Sequence, residues 1–287
     1  MQTSNDDNIT EFDFQLLITD IDGTLINGPP EISPKIIEAI RTANQRGLRV
    51  TLASGRNSAE VCWFLNRLKI CEPYIALGGA YVADPRTGKV LFYDALPRAA
   101  VEAILRQARD HNIGILIEYP DEILFEGEST FYKSLELMSS SGIQQIPKGA
   151  FTYTLPPGKM VLLGTESDLQ AVETTLSPWA TQLECARSLP NFLDITKCDV
   201  NKGNALRILA EIEGIPLNKT IAVGDGWNDQ SMFDVAGFSI AMGDGTEGLK
   251  ETANLVSPLG VENGFLWALN YILSDAGPKL SVSGEIS

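Results

Sequence analysis

The amino-acid sequence predicts an α/β protein: a parallel-sheet core with a smaller α+β unit inserted into it. Three observations carry this. Short apolar, β-branched runs alternate with helical stretches toward both ends of the chain, the order that gives a parallel sheet with right-handed crossovers. That rhythm breaks in the middle, where turn signals and short strands replace it,. Several of the outer runs also end in polar clusters, at the strand ends where open α/β sheets bind their ligands.

Taken in order, residues 1–11 are polar and read as a flexible tail. Leu16 to Thr19 is the first buried strand, and Gly23-Thr24 its exit turn,. Ser33-Pro34 opens a helix through about Arg46, with Ile36, Ile37, Ile40 and Ala43 at helical spacing and Gly47 beyond its end,. Leu48 to Ala53 reads as the next strand, Ser58 to Leu68 as a helix, and Tyr74 to Leu77 as a third strand of the same parallel run. Asp84-Pro85-Arg86-Thr87-Gly88 is the turn signal of an antiparallel pair,. Helices follow near 97–110, 129–139 and 166–177, with strands near 113–118, 122–126, 160–163, 181–187 and 191–196. Ser140 to Gly158 reads as a long loop. A helix from about Lys202 and strands at 220–223, 238–242 and 255–256 then resume the opening rhythm. The expected organisation is a core of 12–84 and 192–274, an inserted unit of 85–191, and flexible tails at 1–11 and 275–287,.

Composition narrows the function classes. A formal net charge of −15 disfavours nucleic-acid backbones and anionic membranes as partners,. No apolar run approaches the roughly 20 residues needed to span a bilayer. Met1 to Glu11 lacks the layout of a signal peptide, so a cytoplasmic protein is expected,. Cys62, Cys71, Cys185 and Cys198 show no Cys-x-x-Cys spacing and are expected to be buried free thiols,. His111, the single histidine, follows an apparent helix end, where a surface or capping role is expected.

The chemistry begins at Asp20 and Asp22, two carboxylates on the same side of one strand end,. Like charges ~4 Å apart repel by about 4 kcal/mol at an effective dielectric near 20, and a divalent cation relieves that repulsion. A parallel sheet would gather Asp20, Asp22, Ser54, Asp225, Asn228 and Asp229 along one rim, with Lys202 supplied by a helix start. The set suits phosphoryl transfer. A carboxylate can attack phosphorus and form an acyl phosphate. Magnesium prefers oxygen ligands. Lys202, the Ser54 hydroxyl and loop N–H groups can neutralise the transferring oxygens. Taken singly, Asp225, Asn228 and Asp229 also read as caps, Ser54-Gly55 as a turn and Arg56 as a surface salt-bridge partner.

At these residues the sequence resembles the haloacid dehalogenase-like superfamily of aspartyl-nucleophile phosphatases, in particular its Cof-type group (subfamily IIB). Asp20-Ile21-Asp22-Gly23-Thr24-Leu25, Ser54-Gly55-Arg56, Lys202-Gly203-Asn204 and Gly224-Asp225-Gly226-Trp227-Asn228-Asp229 match its four motifs in order. The resemblance implies a Rossmann-like catalytic core with an inserted α/β cap and Mg2+-dependent hydrolysis of a small phosphorylated metabolite, such as a sugar phosphate. It implies Asp20 as nucleophile and Asp22 as acid and base. The Asp20 carboxylate, the Asp22 backbone carbonyl and Asp225 would hold Mg2+, with Asp229 supporting the metal's waters or orienting Lys202. Ser54, Gly55, Arg56, Lys202 and Asn228 would serve the phosphate and substrate. Phosphohexomutase-type transfer, or phosphate-ester binding without turnover, are the alternatives. The sequence departs from the group's pattern at Gly78-Gly79-Ala80 and Met242-Gly243-Asp244-Gly245, both of which bear on substrate identity.

Overall fold

The structure, a computed structural model, describes residues 13–28, 31–127, 142–274 and 277–279. The expected helix near 129–139 and the 1–11 tail lie outside the described residues, as does most of the 275–287 tail. The chain forms two compact units, one of residues up to 52, 67–72 and from 210 onward, the other of 53–66 and 73–209.

The first unit is built on a five-stranded sheet in the order 255–256, 238–241, 220–224, 16–19, 49–52, parallel throughout. Leu16–Thr19 is an interior strand, fully buried between Arg49–Leu52 and the central strand Thr220–Gly224. A strand covered on both faces has no polar side to show, which is why Leu16, Leu17 and Ile18 read as an unbroken apolar run. Helices Pro34–Gln45 and Val261–Ile272 pack on one another, burying Ile36, Ile40, Phe265, Leu269 and Ile272. Ser33 caps the first of them by accepting from Lys35 N–H at 3.3 Å,.

The second unit holds two sheets. Tyr74–Ala76, Tyr81–Asp84 and Lys89–Tyr93 form an antiparallel three-stranded sheet, with Gly88 in the left-handed region (φ 68°) at its tight turn,. Tyr74–Ala76 was expected in the parallel run, but only the lone bridge between Ala53 and Ile75 is parallel. Its ladder goes instead to the hairpin that follows.

The other sheet has six strands in the order 183–189, 192–197, 159–163, 114–118, 123–126, 144–146. Its alternation divides the side chains between two faces. Ile115, Ile117, Met160 and Leu162 meet helices Arg98–Asp110 and Glu166–Leu176, while Leu116, Phe125, Val161 and Leu163 form a smaller cluster. Gln144–Ile146, inside the expected long loop, pairs in parallel with Leu124–Glu126. Three residues flanked by glycine and proline are too short to show a period.

His111 is exposed at the C-cap of helix Arg98–Asp110. The cysteines are free, but none is buried: Cys71 and Cys185 are exposed and the other two half-buried. Cys185 lies on the edge strand Leu183–Leu189, which leaves its side chain uncovered.

Candidate active site

At the carboxyl ends of two adjacent interior strands of the first unit, Leu16–Thr19 and Thr220–Gly224, three carboxylates converge. One oxygen from each of Asp20, Asp225 and Asp229 lies within 4.8 Å of the other two. Asp20 is 4% exposed and Asp229 is fully buried, while Asp225 is half-buried.

Local backbone geometry fixes each of them. Asp20 N–H donates to Val223 O at 3.0 Å, carrying the ladder one residue past the strand end and setting Asp20 beside the exit of Thr220–Gly224. The loop beyond Asp20 closes on itself, with Leu25 and Ile26 N–H donating to Ile21 O and Gly23 N–H to Ile26 O. Gly23 holds φ 82°, and a Cβ there would fall on the Asp225 carboxylate, so this turn admits only glycine,. Thr24, fully buried, donates from Oγ1 to Asp225 Oδ1 at 2.9 Å. Asp229 Oδ2 accepts from the N–H groups of Asp225 and Gly226, both at 3.0 Å, so Asp229 organises the loop that carries Asp225. Asp225 O in turn accepts from Thr246 N–H at 2.8 Å.

Asp22 and Asn228 lie on the same two loops with exposed side chains, outside the group of three. Three carboxylates at this spacing are an all-oxygen donor set, which fits a hard divalent ion such as Mg2+. They would repel one another without such a charge.

The remaining candidates belong to the second unit. Ser54 is fully buried, its Oγ accepts from Arg56 N–H at 3.1 Å, and Gly55 is exposed. Asn57 Oδ1 accepts from Glu60 N–H at 2.9 Å and caps helix Ser58–Leu68,. The loop is tied to the Leu77–Gly79 turn, where Leu77 N–H donates to Arg56 O at 2.8 Å and Gly78 N–H to Ser54 O at 3.0 Å. Gly79 (φ 115°) approaches Asn201 so closely that a Cβ would fall on the Asn201 carbonyl. Asn201 Oδ1 accepts from Asn204 N–H at 2.8 Å and caps helix Lys202–Glu213, whose first residue, Lys202, is 1% exposed. The Ser54–Arg56 loop and the Lys202 helix start are thus linked through one turn. Arg56 lies 3.6 Å from Glu60 and 5.3 Å from the centre of the Phe64 ring. Arg187 is held by Glu173 at 2.7 Å.

Sequence reasoning gave no role to Thr24, Asn57 or Asn201. Thr24 stood inside a matched motif, and the two asparagines precede helix starts, which is the usual signal of a cap.

The chain is similar to known proteins in sequence and in fold. A family model described as haloacid dehalogenase-like hydrolase matches residues 17–269. The 5-amino-6-(5-phospho-D-ribitylamino)uracil phosphatase YwtE of Bacillus subtilis is 29% identical over 280 residues, covering 89% of this chain and 96% of that protein. A haloacid dehalogenase-like hydrolase from Bacteroides thetaiotaomicron superposes with a TM-score of 0.82 at 28% identity, covering 91% of this chain and 100% of its own. A subclass IIB sugar phosphatase of the same superfamily superposes at 0.75 with 26% identity, covering 90% and 98%.

Proposed function

The chain belongs to the haloacid dehalogenase-like hydrolases, and from that premise we propose a Mg2+-dependent phosphatase that hydrolyses a small phosphorylated metabolite, a sugar phosphate in the first instance. The observation that carries this reading is the convergence of Asp20, Asp225 and Asp229 within 4.8 Å. The likeness to a phosphatase of a phospho-ribityl compound and to a sugar phosphatase supports the substrate class.

In this reading the Asp20 carboxylate attacks phosphorus and forms an acyl phosphate as the ester oxygen departs. Asp22, on the exposed turn two residues on, gives that oxygen its proton. It then takes one from the water that releases phosphate and regenerates Asp20. Asp20, the Asp22 backbone carbonyl and Asp225 would hold Mg2+, with Asp229 fixing the Asp225 loop from behind. When bound, the ion supplies the positive charge that the clustered carboxylates and phosphoryl oxygens call for. Ser54, Gly55 and Arg56, with Lys202 and Asn228, would hold the phosphoryl group, and residues 85–191 would form the cap that excludes water.

The test is magnesium-dependent phosphate release from p-nitrophenyl phosphate, then from a panel of phosphorylated metabolites. Release that vanishes in Asp20→Asn and on removal of Mg2+ with EDTA supports the reading. Unchanged turnover in Asp20→Asn rules out the assigned nucleophile.

A further inference from the structure

One cavity of the second unit, about 510 Å3, has a chemistry unrelated to phosphate. Its wall is aromatic, with Tyr81, Tyr93, Tyr119, Phe151 and Tyr153, and among the described residues none that lines it is Lys, Arg or His. Phosphate recognition needs cationic or N–H donors, so this cavity selects for something else.

Three of the four tyrosines commit their hydroxyl protons to backbone carbonyls. Tyr93 donates to Pro156 O at 2.9 Å, Tyr119 to Leu155 O at 2.8 Å and Tyr153 to Arg98 O at 3.2 Å. What remains for a ligand is the rings, which attract cations through their negative faces. Two carboxylates reinforce that preference. Asp121 and Glu122 form the turn at the cavity's rim, both are exposed, and neither is in an ion pair with a described residue. The rim also carries Val90 and Leu155, which are 49% and 56% exposed and offer apolar contact to alkyl substituents. Burial pushes the Tyr119 phenol up to about 12 and raises Tyr81 and Tyr93 as well, so these rings stay neutral across the physiological range. Arg98 already sits 4.8 Å from the Tyr153 ring centre, an internal case of the same attraction.

We propose that this cavity, walled by Tyr81, Tyr93 and Tyr119 and rimmed by Asp121 and Glu122, is a binding site for an alkylated ammonium ion. The size suits a trimethylammonium group bearing a further substituent. The cavity's lining shares no residue with the Asp20, Asp225 and Asp229 cluster, and the proposal does not depend on hydrolysis.

The test is calorimetric titration of the full chain with choline and with its neutral isostere 3,3-dimethyl-1-butanol. Choline is expected to bind about tenfold more tightly than the isostere. The double variant Asp121→Asn/Glu122→Gln should weaken choline several-fold, and Tyr119→Leu should do the same. Asp20→Asn should leave choline binding unchanged, which separates this cavity from the acidic cluster. Equal affinity for the isostere, no measurable choline binding, an unaffected double variant, or loss of binding in Asp20→Asn would each overturn the proposal. Should Tyr119→Leu fail to fold, the double variant decides alone, because both of its positions are exposed.

Discussion

The Thr24 hydroxyl and Asp225 Oδ1, 2.9 Å apart, join residues separated by 201 positions in the chain. The bond ties the exit loop of the first strand to the loop after Thr220–Gly224 and aims Asp225 toward Asp20. It also uses one lone pair of a carboxylate that the proposed metal would share, so it acts as an outer orienting contact. Replacing such contacts typically costs 10–100-fold in metal affinity. Thr24→Val keeps the shape and removes the donor. The Mg2+ concentration needed for half-maximal phosphate release should rise about 10–100-fold, and Thr24→Ser should restore it. A Val variant with unaltered Mg2+ dependence would mean the bond is merely structural.

Gly23 meets the same carboxylate from the other side. At φ 82° an L-residue is strained, and an added Cβ would overlap the Asp225 carboxylate group. The left-handed backbone alone costs about 1–2 kcal/mol. Gly23→Ala should therefore lower stability by at least that much in urea unfolding. Displacing Asp225 by about 1 Å should lower phosphate release by about a hundredfold. The activity loss should exceed what the stability loss explains.

Glu126, 2% exposed, accepts from Arg109 Nε at 2.7 Å and Nη2 at 2.9 Å, and from Gly149 N–H at 2.9 Å. Burial pushes its carboxyl upward, but Arg109 and the backbone N–H groups outweigh that and hold it below the ordinary value of 4.5. The unfolded chain thus takes up the proton more readily than the folded one. The stabilisation is whole above pH 4.5 and is lost as pH falls through the lower folded value,. Because the Arg109 side chain is 29% exposed and can rehydrate, Glu126→Gln should cost about 2 kcal/mol at pH 7, less than a fully buried pair,. In urea unfolding, the gap between wild type and variant should shrink steadily below pH 4.5.

The sequence made the acidic cluster legible because its signal is local. A buried strand that ends in Asp20-Ile21-Asp22, and another that ends in Gly224-Asp225, declare their positions within six residues each. Pairing is a different matter. Tyr74–Ala76 looks like any short buried strand, and its antiparallel partner, Tyr81–Asp84, is set by the Leu77–Gly79 turn that follows rather than by its own residues. Helix Val261–Ile272 went unassigned although Phe265, Ala268, Leu269 and Ile272 hold a helical spacing, because its Asn263-Gly264 opening reads as a turn,. The aromatic cavity was illegible for a further reason. Tyr81, Tyr119 and Tyr153 come from three separate segments, and only their convergence makes a site.

Lys159 offers the reverse pH dependence. Its ammonium lies 3.0 Å from Asp194 and 3.7 Å from Glu118, on adjacent strands of the six-stranded sheet. Burial opposes its charge, but the two carboxylates outweigh that and raise it above the ordinary lysine value. Glu118 is itself raised, first by burial and further by Asp194 and Glu60, with Lys159 pulling the other way. Lys159→Met preserves length and apolar packing yet leaves Glu118 and Asp194 facing each other without a cation. At pH 7 this should cost about 3 kcal/mol in urea unfolding. The sign with pH follows from Glu118. Glu118 already lies above its unfolded value and loses the opposing Lys159 charge in the variant, so the folded state gains its proton first and the penalty is full only above that folded value,. Acidification toward pH 4.5 should therefore restore stability to Lys159→Met relative to wild type, and adding Glu118→Gln should flatten that recovery. A variant deficit that stays constant with pH would mean that Lys159 contributes packing and no charge compensation.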